Sequence, residues 1–455
     1  MSGTRYLNTL MGDPRKAILS MVLPFLIAAS VVQVNQFVDT FWVSGLGNVA
    51  GSAVATIVPV YGLLICAGLG IGVGATTTIA YRLGQRDRER ASRLAGQAVL
   101  LGIICASAGS VISFILLDPA IDLMGAQSIR AECREYIMPF LLLSPILLTE
   151  MILGGTLRGE GAARKSTVMQ VSAAVFNMVI DPILIYGLGM GLAGAGLATC
   201  VSALLSLMIG ATWYLTGGTV LRPAARDFRP HRETMLEVLN IGGPRTGQSL
   251  ISNMTDLLQR IFIIAAGGTN AVMFYNYTWR YIGLAELPAG AYDTAMVPVC
   301  ASARGQGDPQ RMRAGFRYAT RCVIILSTLL AVLLFVFADP LVSILTYEDS
   351  MRALAGSFVW TLRASAFLLP FAALMGIGTS MLQALDRSRM SMWYILGWGF
   401  LKLARYAVAC TVSFEAIIWC MVAVHVIGGI SLTWLAHREF SRQFPGMGLL
   451  TGSSR

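Results

Sequence analysis

Two aspartates lie in otherwise apolar sequence, each four residues after an asparagine. Asn35 and Asp39 fall in LPFLIAASVVQVNQFVDTFWVSGLG, and Asn177 and Asp181 fall in FNMVIDPILIYGLGMG. A spacing of four puts both members of each pair on one helical face. A carboxylate is costly in hydrocarbon and is rarely left there without a partner or a task. Two carboxylates, the Asn177 amide and the Thr199 hydroxyl, brought to one cavity from three helices, could do either of two things. Desolvation and like charge both favour a bound proton, so the pair could hold one near neutral pH. The same oxygens, from Asp39, Asn177, Asp181 and Thr199, could instead offer hard ligands to Na+. Each residue also has a plainer reading. Asp39 could be a solvated helix end, and Thr199 could bond back to its own helix. Asp-Pro often ends a helix, as Asp118-Pro119 is expected to do. Asp181-Pro182 is followed by more apolar residues and lies about 22 Å along a helix from Ser166, which favours a place inside the membrane.

The elements that position these groups are set by composition. The chain has 455 residues, 55% of them hydrophobic and only 13% charged, about half the charged fraction of a soluble protein. A spanning helix needs about 20 apolar residues. Twelve such segments are expected, near 16–43, 52–82, 92–117, 135–157, 165–187, 193–215, 236–266, 270–302, 315–338, 355–382, 391–410 and 413–436. The fold class is an all-α polytopic membrane protein. In the first span Pro24 cannot donate a main-chain hydrogen bond, so the helix can bend there.

Charge placement orients the spans. Arginines and lysines cluster on alternate connections, for example Arg82, Arg86, Arg88, Arg90 and Arg93, or Arg222, Arg226, Arg229 and Arg232. The opposite loops GLGNVAGS, GLGMGLAGAG and GGTNA carry none; only Arg130, Arg134 and Arg352 stand out on that side. Both termini are therefore expected in the cytoplasm. The net charge of +10 serves orientation rather than nucleic-acid binding, since no basic face with interleaved aromatics is present.

The chain repeats itself. Gly84-Gln85-x-Asp87-x-x-Arg90 returns 221 residues later as Gly305-Gln306-x-Asp308-x-x-Arg311, and Asp118-Pro119 returns at the same offset as Asp339-Pro340. Pro24 matches Pro244 at 220, and Pro145 matches Pro370 at 225. Two pseudo-symmetric six-helix lobes of like orientation are expected, a plan suited to alternating access. Residues 1–215 form the N-lobe, 216–235 a basic cytoplasmic linker and 236–455 the C-lobe.

No HExxH, GxSxG or GxxxxGK[ST] motif occurs, so neither a catalytic set nor ATP coupling is expected. The eight cysteines form no CxxC pair and read as apolar packing residues, with only Cys133 clearly in a loop. No cofactor is implied beyond a coupling ion, H+ or Na+. His425 reads as a packing hydrogen-bonder. In the second half, Asp256 and Arg260 are four apart and read as an ion pair, while Glu286 and Asp293 could meet Arg280, Arg363 or a cationic substrate. Aromatic residues from Phe274 to Tyr292 could anchor at the interface or wall a cavity for aromatic cations.

Taken together, Pro24, Asp39, the NMVIDP stretch, the LRGEG after the fourth span and the paired six-helix halves resemble the multidrug and toxic compound extrusion (MATE) family over nearly the whole chain. That resemblance implies the MATE/MOP-type fold and an antiporter that expels small, drug-like, often cationic compounds in exchange for protons or sodium. It implies coupling at Asp39, Asn177, Asp181 and Thr199, with Pro24 and Asn35 in gating or the substrate cavity, and a first helix that bends as the site is protonated. Ser252 stands where sodium-driven members of another branch carry a glutamate, and the tenth span has no internal acid. The chain thus resembles the DinF-like branch, and is expected to act as a monomer among the lipids of a bacterial or archaeal cytoplasmic membrane. A flippase for lipid-linked saccharides is the alternative, and would be expected to line its cavity with fixed cations.

Overall fold

The computed structural model describes residues 2–346, 352 and 354–449. A short amphipathic helix, α1 (Ser2–Met11), precedes the spans. The first six spans are α2 (Pro14–Ser44), α3 (Asn48–Gly84), α4 (Arg88–Leu123), α5 (Arg130–Gly159), α6 (Ala163–Pro182) and α7 (Gly191–Leu215). The second six comprise the two arms of α8 (Arg232–Gly305), then α9 (Pro309–Val336), the pair α11 (Ala355–Ala366) and α12 (Leu369–Ala384), α13 (Ser388–Ala409) and α14 (Phe414–Gln443); α10 (Ala338–Leu345) is a short helix after α9. By length and apolarity alone nine stretches among the described residues qualify as spans. The arms of α8, with Asp256, Arg260, Arg280 and Glu286, and α13, with Lys402 and Arg405, carry more charge and complete the twelve.

Local sequence explains where helices start. Asp13 accepts the Arg15 N–H at the head of α2, with Pro14 in the first turn. Asp87 does the same for Arg90 at α4, and Ser413 for Ala416 at α14. These caps satisfy main-chain donors that have no partner within the helix. The expected break near GGTNA is a single residue: Gly268, at φ 66 and ψ −154, interrupts an otherwise continuous α8. Only glycine adopts that region freely.

The chain forms two compact units. One contains residues 1–247 with 301–308, the other 248–300 with 309–455. The early part of α8 and its last turns belong to the first unit because glycine backbones meet α3 there. A Cβ on Gly84 would stand 2.2 Å from the Ser302 carbonyl oxygen, and one on Gly305 would stand 2.1 Å from that of Tyr81. The two copies of the repeated Gly-Gln motif thus pack against each other. The repeat is also visible in the backbone. Left-handed residues occur at Arg86 and Gly307 and at Gly161 and Asp386, offset by 221 and 225, as in the sequence repeat.

Two expectations are corrected. Asp118-Pro119 does not end α4, which continues to Leu123; Asp118 instead pairs with Arg134. Cys133 is not in a loop but fully buried in the first turn of α5, its thiol 3.7 Å from the Ala53 carbonyl. Arg130 pairs with Asp122, so two of the three basic residues on the sparsely charged face are neutralised locally.

Candidate transport site

Asn35 and Asp39 lie on the C-terminal half of α2, and Asn177 and Asp181 on the last turns of α6. These helices pack along each other. The Asn35 amide Nδ2 donates to Asn177 Oδ1 at 3.0 Å, and Asn177 Nδ2 donates to Asp181 Oδ1 at 3.0 Å. The chain of donors therefore runs one way, from α2 to the carboxylate on α6. Asn177 and Asp181 are buried. Asp39, one turn beyond Asn35, is half-buried and lies within electrostatic range of Asp181. Asp181 Oδ2 and Asn35 Oδ1 are buried acceptors with no hydrogen-bond donor among the described residues. Buried acceptors are rarely left so; a proton on the carboxylate or a small cation would satisfy them.

The backbone around Asp181 is unusual. Pro182 removes a donor, and the α-helix gives way to a single π turn over Ile183–Gly187. The span thus continues past Asp181 without regular α geometry. Isolated π turns recur at functional sites. Its Tyr186 hydroxyl donates to the Trp42 carbonyl at 2.5 Å, and the two rings meet edge to face. The C-terminal end of α2 is therefore tied to the fifth span at two levels.

Thr199 is not drawn into this network. Its hydroxyl donates back to the Ala195 carbonyl at 3.4 Å, and it makes no hydrogen bond to either acid. Pro24 lies inside an unbroken α2. Packing along that helix is uneven. Ala17, Ile18, Met21, Val22, Phe25 and Ala28 are buried, and then nothing is until Val43.

Sequence reasoning missed several neighbours. Tyr61 on α3 lies within range of Asp39, and Tyr136 on α5 within range of both acids. Tyr61 stacks on Phe140 at 4.7 Å. In apolar spans such tyrosines read as packing; their hydroxyls were the available signal. A half-buried acid, Glu150 on α5, accepts the Ser206 hydroxyl at 2.7 Å and is attracted by Arg158. Arg158 donates to Ser166 at 3.2 Å. A glutamate within LLTEMILGG was legible as an intramembrane charge.

In the second unit Asp256 does not pair with Arg260. Its partner is Lys402 on α13, at 3.3 Å. Arg363 pairs with Asp339 at 2.6 Å, which leaves it engaged away from Glu286. Gln259 donates to the Tyr275 hydroxyl at 2.9 Å, and Tyr275 stacks on Trp279. His425 Nδ1 lies 2.8 Å from the Met421 carbonyl of its own helix, as a packing histidine would.

Comparison with known proteins agrees with this architecture. The chain matches the family described as MatE over residues 24–183 and 244–402. It is 26% identical over 341 residues to the FAD transporter of Shewanella oneidensis, covering 74% of this chain and 75% of that one. It is 22% identical over 379 residues to the multidrug export protein MepA of Staphylococcus saprophyticus, covering 82% of each. A solved outward-facing multidrug resistance MATE transporter of the MOP superfamily superposes with a TM-score of 0.92 at 26% identity, over 98% of this chain and 100% of the other. The twelve-helix chain with its buried acid and amide relay therefore belongs to the multidrug and toxic compound extrusion family, as a multi-pass secondary transporter of small molecules and not an enzyme.

Proposed function

We propose that this chain is a cation-coupled efflux antiporter, exporting drug-like and often cationic organic compounds in exchange for H+ or Na+. The observation that carries the proposal is the one-way relay Asn35 to Asn177 to Asp181, which links the proline-containing first span to a buried carboxylate. The coupling residues are Asp39, Asn177 and Asp181. Thr199 belongs to the set only if its back-bond to Ala195 opens to offer an oxygen to Na+. Pro24 and Asn35 act in gating.

The chemistry follows from the donor directions. An ionised Asp181 accepts the Asn177 amide, which turns Asn177 Oδ1 toward Asn35. A proton on Asp181 makes it a donor and weakens its hold on that amide. A cation at the same oxygens competes for the same lone pairs. Either event loosens the tie between α2 and α6. The C-terminal half of α2 has no fully buried residue between Ala28 and Val43, so little packing opposes its movement about Pro24. Pro24 also leaves the Ser20 carbonyl without its helical donor. A ligand shifts such an equilibrium only by binding the two states differently, and the relay supplies that difference.

The arginine-rich connections favour a cytoplasmic placement of both termini, in a bacterial or archaeal cytoplasmic membrane, with the chain acting as a monomer. The similarity to a protein named an FAD transporter supports a second cargo reading, a dinucleotide. A lipid-linked saccharide flippase is less favoured, because the groups around Asp181 are acidic and neutral. Purified protein in vesicles loaded with a fluorescent cationic dye decides among these. Dye movement driven by an imposed proton or sodium gradient supports the antiporter and identifies its ion. No dye movement under either gradient, with FAD or lipid-linked sugar moving instead, overturns it.

A further inference from the structure

At the arginine-rich end of the first unit, a cavity of about 440 Å³ opens between the start of α4 and the segment after α7. Its charged lining comprises Arg88 and Glu89 from α4, and Arg222, Arg226 and Asp227 from the segment. The two acids are already engaged. Glu89 pairs with Arg226 at 3.2 Å and Arg93 at 3.6 Å. Asp227 Oδ2 accepts the Ala224 N–H at 2.8 Å. Arg88 and Arg222 have no carboxylate partner among the described residues.

Arginines in a connecting segment ordinarily sit in a solvated loop that orients the protein. This segment is instead fixed from beneath. Glu160 of the LRGEG stretch is wholly buried and accepts the N–H of Val220 at 2.6 Å and of Leu221 at 3.3 Å, together with the Tyr214 hydroxyl at 2.6 Å. Gln97, also wholly buried, donates to the carbonyls of Asp227 at 2.6 Å and Arg229 at 2.7 Å, and accepts the His231 N–H at 2.9 Å. Lys165 donates to the Gly218 carbonyl at 2.6 Å. The wall that carries Arg222 is thus preorganised, which lowers the cost of binding a ligand against it.

We infer that this cavity binds a phosphate-bearing ligand, held between Arg88 and Arg222. The planar guanidinium matches phosphate oxygens two at a time. Two uncompensated guanidinium groups suit a phosphate, whose several oxygens they can share, better than a single carboxylate. The volume falls in the range of small-molecule sites. The phosphate belongs either to a soluble polyphosphate or to an acidic phospholipid headgroup, and the experiment separates the two.

Full-length protein in nanodiscs of neutral lipid would be titrated with inorganic pyrophosphate. The same protein, extracted from membranes containing phosphatidylglycerol, would be assayed for retained lipid by native mass spectrometry. Arg88→Gln and Arg222→Gln are compared with Arg164→Gln, an arginine outside the cavity, and thermal melts verify folding. Saturable pyrophosphate binding, weakened about tenfold or more in either cavity variant but not in Arg164→Gln, supports the soluble source. Phosphatidylglycerol retention lost in those two variants alone supports the lipid source. Binding of neither probe, or equal weakening in all three folded variants, overturns the site.

Discussion

Asp181 in the first unit and Asp256 in the second are neutralised in different ways. In the first, Asp181 is held by an amide relay with no fixed cation on it. In the second, Asp256 faces Lys402 at 3.3 Å and Asp339 faces Arg363 at 2.6 Å. A carboxylate already paired with a lysine has little to gain from a proton or a metal ion. A carboxylate held only by neutral amides keeps its demand for positive charge, and an exchangeable cation can meet it. The contrast favours Asp181 over Asp256 as the group proposed to couple transport.

The largest effect that would break this contrast is at Asp181 itself. Asp181→Asn keeps size and hydrogen bonding but removes the charge, and is expected to cut gradient-driven transport by about 100-fold or more while substrate still binds. Transport assays paired with dye binding check this. Next comes Pro24→Ala. Restoring the N–H to the Ser20 carbonyl is expected to stabilise continuous α2 by about 1–3 kcal/mol and slow turnover about tenfold or more. Turnover rate and the thermal melt should move in opposite directions.

The relay predicts a smaller, coupled effect. Asn35→Ala and Asn177→Ala are each expected to lower transport several-fold, with an interaction energy of about 0.5–2 kcal/mol in a double-mutant cycle. Purely additive losses would show that the amides act separately. In the second unit the order is structural. Lys402 has 15% of its side chain exposed and Asp256 60%, so Asp256→Asn strands the more buried charge. It is expected to destabilise the protein more than Lys402→Met, by about 1 kcal/mol, with ion coupling unchanged in both. Melts and transport assays of the pair test this.

The smallest effect concerns pH. Burial pushes the Glu160 carboxyl up to about 7, against the Tyr214, Val220 and Leu221 hydrogen bonds and the nearby Lys165 that pull it down. The folded form binds its proton more tightly than the unfolded chain, whose carboxyl titrates near 4.5. That stabilisation is complete below about 4.5 and is lost as pH rises through about 7. Tryptic cleavage at Arg226, taken relative to an unfolded substrate cleaved at the same pH, is expected to accelerate between pH 5 and 7.5, and this dependence is expected to flatten in Glu160→Gln.

Much of the fold was legible because hydropathy, charge asymmetry and the 221-residue repeat all act locally along the chain. The Asn-x-x-x-Asp pairs were legible for the same reason. What the sequence hid was the choice of partners across helices. Lys402 is 146 residues from Asp256, and Arg260, only four away, was the nearer candidate. Asp118-Pro119 was read as a helix end because proline disfavours the helix, yet a proline near the last turn removes few bonds and α4 runs through it. Thr199 reads from sequence either as a site hydroxyl or as a back-bond to its own helix, and its hydroxyl donates to Ala195 in this structure. Tyr61 and Tyr136 were hidden among apolar neighbours, where only three-dimensional proximity separates a site lining from a core.

The central claim is that Asp181, and not Asp256, carries the coupling charge. The direct measurement is counter-movement of the coupling ion in vesicles, recorded on the same sample as substrate efflux, for Asp181→Asn and Asp256→Asn side by side. The account predicts that ion movement and efflux both vanish in Asp181→Asn and both persist, in the normal ratio, in Asp256→Asn. Coupled exchange that survives in folded Asp181→Asn but fails in Asp256→Asn would contradict it.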